Sequence, residues 1–158
     1  MTDLRLEATR TFHADPAEIF AVVTDPLGHV DIDASGMLMD ATGDPVTAVG
    51  DRFVVHMDRE ARGDYDLGKY DVDVVIVTFE QDAEVAWTIE SPAFQPIGHV
   101  YGYRIEPSED GTTTVTSYYD WSATSDDWKA SGVFPVISES ALKSTLGILE
   151  RTVRRRRA

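Results

Sequence analysis

Three side chains at alternate positions have the chemistry to bind a small molecule. His99, Tyr101 and Tyr103 stand two residues apart in a segment typical of a strand, so all three lie on one face of it. That face presents aromatic bodies with polar tips, and ligand pockets commonly orient small molecules through a few such hydroxyl or imidazole groups. Ordinary half-buried strand tyrosines give the same pattern, because aromatic residues are common in strands and keep their hydroxyls wet.

A second cluster contains one histidine and two aspartates. In an extended segment, His29, Asp31 and Asp33 would lie on one side, an arrangement that suits a hard or borderline metal ion. Solvated loops carry such residues by chance as well, since loops are polar wherever they meet water. We therefore predict no metal and no cofactor here.

Several kinds of chemistry are excluded by what the chain lacks. It has 158 residues and no cysteine, which removes disulfides, thiolate zinc sites and cysteine nucleophiles. No Gly-rich phosphate loop precedes a predicted helix, and no His-Glu-x-x-His is present. Ser, His and Asp do not occur in a recognisable hydrolase context. Any chemistry must use histidine, carboxylates, hydroxyls or shape.

The charge is strongly acidic, with 14 Lys and Arg against 28 Asp and Glu and a net charge of −14. Five of the cations, Arg151 and Arg154 to Arg157, lie in the last eight residues. So acidic a body repels phosphate backbones, and we predict no nucleic-acid partner. We read the arginine run as favouring a helix dipole and offsetting the acidic body, with an acidic patch on another protomer as the rival.

No stretch of about 18 apolar residues occurs, so we predict no stable membrane insertion. The first residues lack the basic-then-apolar pattern of an export signal, and we expect a cytoplasmic protein. The sequence shows no internal repeat or linker, which predicts a single domain over residues 1–158. A homodimer stays open.

The elements that must position these side chains can be read from periodicity. Residues 4–12 alternate apolar and polar, which predicts a strand, and Asp15-Pro16 then begins a short helix that ends before Asp25-Pro26. Seven strand-like segments follow and predict a meander of about six strands; the segments are 37–40 and 46–49, which flank one turn, then 52–58, 70–80, 84–90, 99–106 and 112–121.

A long helix ends the chain. Ser138 is its predicted cap, and Leu142, Leu146, Leu149 and Val153 recur at helical spacing, so an apolar stripe should face the sheet. Gly147 interrupts this helix, and we expect the sheet or a ligand to approach closely there. Laying the helix across a curved sheet buries both apolar faces at once.

This order of elements resembles the helix-grip fold of the START/Bet v 1-like (SRPBCC) superfamily, in its polyketide cyclase/dehydrase-like branch. The likeness is carried by the strand and capped helix of 9–20, the Thr24-Asp25-Pro26 stop, residues 97–103, residues 110–121 and the final helix. It implies an α+β fold in which a curved antiparallel sheet of six to seven strands wraps around the long C-terminal helix, with two short helices after the first strand.

The resemblance also implies a cavity between sheet and helix for a small hydrophobic or aromatic molecule, lipid- or polyketide-like. In each strand, the more apolar of the two sets of alternate residues should point inward and line this cavity. The predicted ligand-binding residues are Phe53, Met57, Trp87, Ile89, His99, Tyr101, Tyr103 and Tyr119, with His29 and Asp31 at the rim.

Two further functions stay open. The superfamily's cyclases imply an enzyme of cyclase or dehydratase type, for which His99 is the candidate general acid or base. No carboxylate is predicted to face His99, so binding is favoured over catalysis and whether the chain is an enzyme is left undecided. A protein-interaction module would instead have its cavity filled by side chains.

Overall fold

A computed structural model describes residues 3–63 and 67–157, in which the chain forms one antiparallel sheet and four helices. The strands are β1 (Arg5–Phe12), β2 (Leu38–Thr42), β3 (Arg52–Asp58), β4 (Lys69–Glu80), β5 (Glu84–Glu90), β6 (Val100–Pro107) and β7 (Thr113–Asp120). The helices are α1 (Pro16–Val23), α2 (Pro26–Asp31), α3 (Asp126–Ala130) and α4 (Glu139–Arg156), with a 3₁₀ turn at Glu60–Arg62.

The sheet has the strand order β1-β7-β6-β5-β4-β3-β2. Strands β2 to β7 follow one another as a meander, and the first strand, β1, lies at the sheet edge and pairs with β7. The helix α4 packs on β1 and β7, and α1 and α2 lie between β1 and the meander in the chain. The predicted helix-grip α+β fold is confirmed.

The two short helices begin where local chemistry dictates. Pro16 opens α1, and the Asp15 backbone N–H donates to Glu18 Oε1 at 3.2 Å. At the other end the Thr24 hydroxyl donates to the Phe20 carbonyl at 2.7 Å. The Asp25 carboxylate then caps α2 by accepting from the Leu27 amide.

The long helix follows the predicted pattern. The Ser138 hydroxyl accepts from the Ala141 amide at 3.0 Å and so caps α4. Its four predicted apolar residues are all buried: Leu142, Leu146, Leu149 and Val153. At Gly147, however, an added Cβ would meet no described atom within 4 Å, so the expected close approach of the sheet is absent.

The C-terminal arginines fasten α4 to the two short helices. Arg157 pairs with Glu18, with 2.6 Å between Nε and Oε2, and Arg156 pairs with Asp25 at 2.8 Å. The hydrogen bond from Arg157 lowers the pKa of Glu18 to about 2. The run therefore makes specific ion pairs in addition to its general charge effect.

The strand predicted at 46–49 is wrong, because that segment is an irregular loop. The Asp51 carboxylate accepts from the backbone amides of Thr47 and Ala48, and the Val46 amide donates to Thr24 O. These amides are thus satisfied without a neighbouring strand. The short helix α3, capped by Ser125, falls in a stretch for which we predicted no element.

Candidate functional site

Aromatic side chains of β5, β6 and β7 form a continuous wall on the inner face of the sheet. Trp87 lies opposite Tyr101, and Tyr101 lies opposite Tyr119. Their ring centroids are 6.0 Å apart in the first pair and 4.7 Å in the second. Tyr103 is 5.8 Å from Trp87 on the same face. We call these four rings, together with His99, the aromatic wall.

His99 stands just before β6 and is 4% exposed. Its Nδ1 lies 2.6 Å from the Tyr119 hydroxyl, and its ring meets Tyr101 edge-on at 5.1 Å. The Thr88 hydroxyl donates to the His99 carbonyl at 2.7 Å and ties the residue to β5. The other ring nitrogen, Nε2, is buried with no hydrogen-bond partner among the described atoms. The sequence pattern gave no inward carboxylate for His99, and the structure places the Tyr119 phenol beside it.

Burial keeps this pair neutral. It lowers the pKa of His99 to about 4 and raises the pKa of Tyr119 above its usual value. The backbone of Val136 partly offsets this rise in the pKa of Tyr119. The phenol is the more acidic of these two neutral groups, so the Tyr119 O–H is placed to donate a hydrogen bond to Nδ1. That arrangement favours the tautomer in which His99 Nε2 carries the hydrogen and offers it as a donor.

His29 extends the wall from the helical side. Its ring lies 4.6 Å from Trp87 and 5.0 Å from Phe53, and its Nε2 is 2.8 Å from the Val23 carbonyl. Desolvation lowers the pKa of His29 to about 4. The ring is neutral near pH 7 and its Nε2–H donates to Val23, so His29 serves the packing of α2 as well as the wall.

The extended arrangement of His29, Asp31 and Asp33 is wrong, because α2 is helical through Asp31. His29 points into the core, whereas the exposed Asp31 carboxylate lies 3.8 Å from Arg156. Asp33 accepts from the backbone and hydroxyl of Ser35. Asp31 thus lies apart from the aromatic wall. In residues 3–63 and 67–157 no group of three His, Cys, Asp or Glu side chains could hold a metal ion.

The remaining predicted residues occupy the inner face of the sheet. Phe53 is buried, and Met57 and Ile89 are half-buried against the core. Met57 is paired with Tyr70 on β4, and Ile89 follows Thr88, whose hydroxyl binds the His99 carbonyl. Ring contacts join His29 to Phe53 and Trp87, Trp87 to Tyr101, and Tyr101 to His99 and Tyr119.

Two aromatic residues beside His99 were missed. Trp121 stacks on Tyr119 at 5.5 Å, and Phe134 stacks on Trp121 at 6.2 Å and lies 6.3 Å from His99. The alternation of apolar residues over 112–121 already indicates that Trp121 points inward. Phe134 lies in a segment punctuated by Gly and Pro, where periodicity gives no direction for a side chain.

Segments 91–98 and 121–137 cover the wall near His99. They are joined by the Trp128 indole, whose Nε1 donates to the Pro96 carbonyl at 3.0 Å. Phe94 and Ile137, one from each segment, pack on the core. Two open depressions of the described residues lie elsewhere: one of about 470 Å³ beside His56 and Tyr70, and one of about 260 Å³ beside Asp73 and Glu90. The wall is closed in this conformation.

No protein-family model matches the chain, and no curated protein matches it. Solved structures do match. Protein NE0264 from Nitrosomonas europaea has a TM-score of 0.69 at 14% identity, covering 99% of this chain and 98% of that one. A norcoclaurine synthase point mutant from Thalictrum, in complex with a transition state analogue, has a TM-score of 0.64 at 13% identity, covering 98% and 96%.

The Aha1 dimer from Colwellia psychrerythraea has a TM-score of 0.59 at 16% identity, covering 97% of this chain and 96% of that one. At these identities the likenesses show the fold alone, an α+β helix-grip fold. Of the helices in the described part of the chain, none is long and apolar enough to cross a membrane.

Proposed function

We propose that the chain binds a small aromatic or apolar molecule that carries one hydrogen-bond acceptor. The observation that supports this most directly is the buried, unpartnered Nε2 of His99 beside the rings of Tyr101 and Tyr119. A buried donor without a partner costs about 1–3 kcal/mol, which a carbonyl or hydroxyl oxygen of a ligand would recover. The neighbouring rings supply apolar contact.

Binding requires the covering segments to move, because the wall is closed. Segments 91–98 and 121–137 are held together by the Trp128–Pro96 hydrogen bond. Phe94 and Ile137 are only partly buried, so moving these two side chains costs less than moving the buried Trp121. The ligand would enter between these two segments and replace their contacts with the wall.

A matched pair of probes tests the proposal. 2-Acetonaphthone and 2-isopropylnaphthalene share a ring system and approximate shape, but only the ketone accepts a hydrogen bond. Wild-type protein should bind the ketone more tightly by roughly 0.5–1.5 kcal/mol, and His99→Leu should abolish that preference. His13→Leu, on an exposed histidine, is the control and should keep it. Equal affinity for both probes in the wild type would contradict the role of His99.

An acid–base enzyme of cyclase or dehydratase type is the second candidate. It is favoured by the 2.6 Å contact of His99 and Tyr119, which puts a neutral imidazole beside a protonated phenol. With a poly-β-keto thioester as substrate, His99→Ala should lower turnover by about 10²–10⁴-fold while the substrate still binds. If the chain only binds the substrate, neither the wild type nor the His99→Ala variant forms product.

A protein-interaction module is the third candidate, supported by the closed wall. It predicts that neither naphthalene probe binds at any concentration below its solubility. We further propose a cytoplasmic protein whose single domain spans residues 1–158. We also propose a homodimer, as in the Aha1 structure, which light scattering would test.

A further inference from the structure

Three polar side chains on the outer face of the sheet are aligned as in a nucleophile–base–acid relay. His56 Nδ1 lies 2.8 Å from Asp71 Oδ1, and His56 Nε2 lies 2.8 Å from the Thr42 hydroxyl. Both ring nitrogens are thus engaged, and the imidazole is held between a carboxylate and an alcohol. Such sites are recognised by geometry and roles, because the same set recurs on unrelated folds.

The donors and acceptors define the proton positions. A carboxylate only accepts hydrogen bonds, so His56 Nδ1 must carry the hydrogen that faces Asp71. In the neutral ring, Nε2 is then a free lone pair, and the Thr42 hydroxyl donates to it. This is the tautomer in which a histidine withdraws a proton from an alcohol.

Strand pairing fixes the relative positions of these three residues. His56 on β3 stands directly opposite Asp71 on β4, while Thr42 ends β2 and pairs with Val54. An irregularity in the β2–β3 register lies between Leu38 and Asp40. Gly43 follows Thr42 at φ 141°, and a Cβ there would come within 2.8 Å of Phe53 Cβ. The chain therefore needs glycine to turn away immediately after Thr42.

Two of the three residues, His56 and Asp71, line a depression of about 470 Å³. Met39, Met57 and Tyr70 give it apolar surface, and Lys69 and Asp58 add an ammonium group and a carboxylate. Apolar side chains suit a short acyl chain, and a cation favours the negative charge that develops on a carbonyl oxygen under attack. An activated ester of a short carboxylic acid fits these features.

We propose that Thr42, His56 and Asp71 form an acyl-transfer site for such esters, independent of the aromatic wall. Thr42 Oγ forms a bond to the carbonyl carbon as its proton passes to His56 Nε2. The bond to the leaving alcohol then breaks, and that alcohol takes the proton from His56. Water next attacks the acyl-threonine, gives a proton to His56, and releases the acid as Thr42 regains its hydrogen.

The test uses 4-nitrophenyl acetate with the full chain. We expect enzyme-dependent release of 4-nitrophenolate and, after acid quench, an acetyl group on the peptide that contains Thr42. Thr42→Val, which keeps the shape, and His56→Gln should each lower the release at least about tenfold. Thr42→Ser retains a hydroxyl, so its acetyl group should still appear on the peptide that contains position 42, and the exposed His13→Gln should match wild type.

Two results would overturn the proposal. The first is a Thr42→Val protein that hydrolyses the ester as fast as wild type. The second is an acetyl group found on lysine or tyrosine peptides and absent from the Thr42 peptide. In either case the three side chains form a cross-strand polar network that stabilises the sheet and nothing more. Circular dichroism of each variant verifies that the fold is kept.

Discussion

At the residue scale, the two buried histidines couple stability to pH. Burial lowers the pKa of both His29 and His99 to about 4, whereas the same residues in the unfolded chain titrate near 6.5. Between these values the unfolded chain binds more protons than the folded one. Their contribution to stability is therefore complete above about pH 6.5 and is lost as the pH falls toward 4.

We expect the free energy of unfolding in urea to fall between pH 7 and pH 5 in wild-type protein. His29→Gln and His99→Gln should each show a smaller fall over the same range, because each lacks one of the titrating groups. His13→Gln, on an exposed histidine, serves as the control. A fall of equal size in all four proteins would show that the buried histidines do not cause it.

The sequence predicts which residues face inward better than it predicts what they touch. Alternation placed Tyr101, Tyr103 and Tyr119 on one face, and the structure brings them together there. The contact between His99 and Tyr119 depends on strand register and on the turn before β6, neither of which is encoded in one strand alone. His29 was read as extended because the short α2 has too few residues to show a helical period.

At the element scale, α4 should depend on its buried stripe. Leu146 is 1% exposed, and Leu146→Ala should cost about 2–5 kcal/mol of unfolding free energy by leaving a cavity against the sheet. The exposed Lys143, one turn away, gives the matched control, and Lys143→Ala should change little. Urea unfolding measures both. A near-zero effect at Leu146 would mean that α4 does not pack as described.

Two glycines should respond oppositely to alanine. At Gly147 the added methyl meets no described atom, so Gly147→Ala should stabilise α4 by about 1 kcal/mol. At Gly102 it would come within 2.4 Å of the Tyr118 hydroxyl oxygen, whose proton is donated to Glu84. Gly102→Ala should therefore cost about 1–3 kcal/mol through overpacking. Thermal unfolding of both variants is the measurement, and two shifts of the same sign would contradict the packing.

Elements with long, regular patterns were predictable, and those set by tertiary contacts were not. Strands β3, β4 and β5 and helix α4 lie close to the predicted ranges, because each carries a strong period. The 46–49 segment has strand-forming residues, but Asp51 and Thr24 satisfy its amides in a loop. Helix α3 has one turn and no buried residue, so no apolar period marks it.

At the scale of the whole molecule, we expect the chain to retain a ligand when it is purified gently. Native mass spectrometry of freshly purified protein should show an additional small apolar mass that disappears on denaturation. The amount retained should decrease in His99→Leu, since that variant lacks the Nε2 donor. An identical adduct on both proteins would place the ligand away from the aromatic wall.

We propose that His99 Nε2–H donates a hydrogen bond to the acceptor atom of a bound aromatic molecule. Long-range ¹H–¹⁵N correlation of the four histidine rings, titrated with 2-acetonaphthone, tests it most directly. We expect a saturable change at His99 Nε2, with His13 and His56 unaffected and no such change at Nε2 with 2-isopropylnaphthalene. Saturable binding of the ketone that leaves the His99 nitrogens unchanged, or no binding at all, would contradict it.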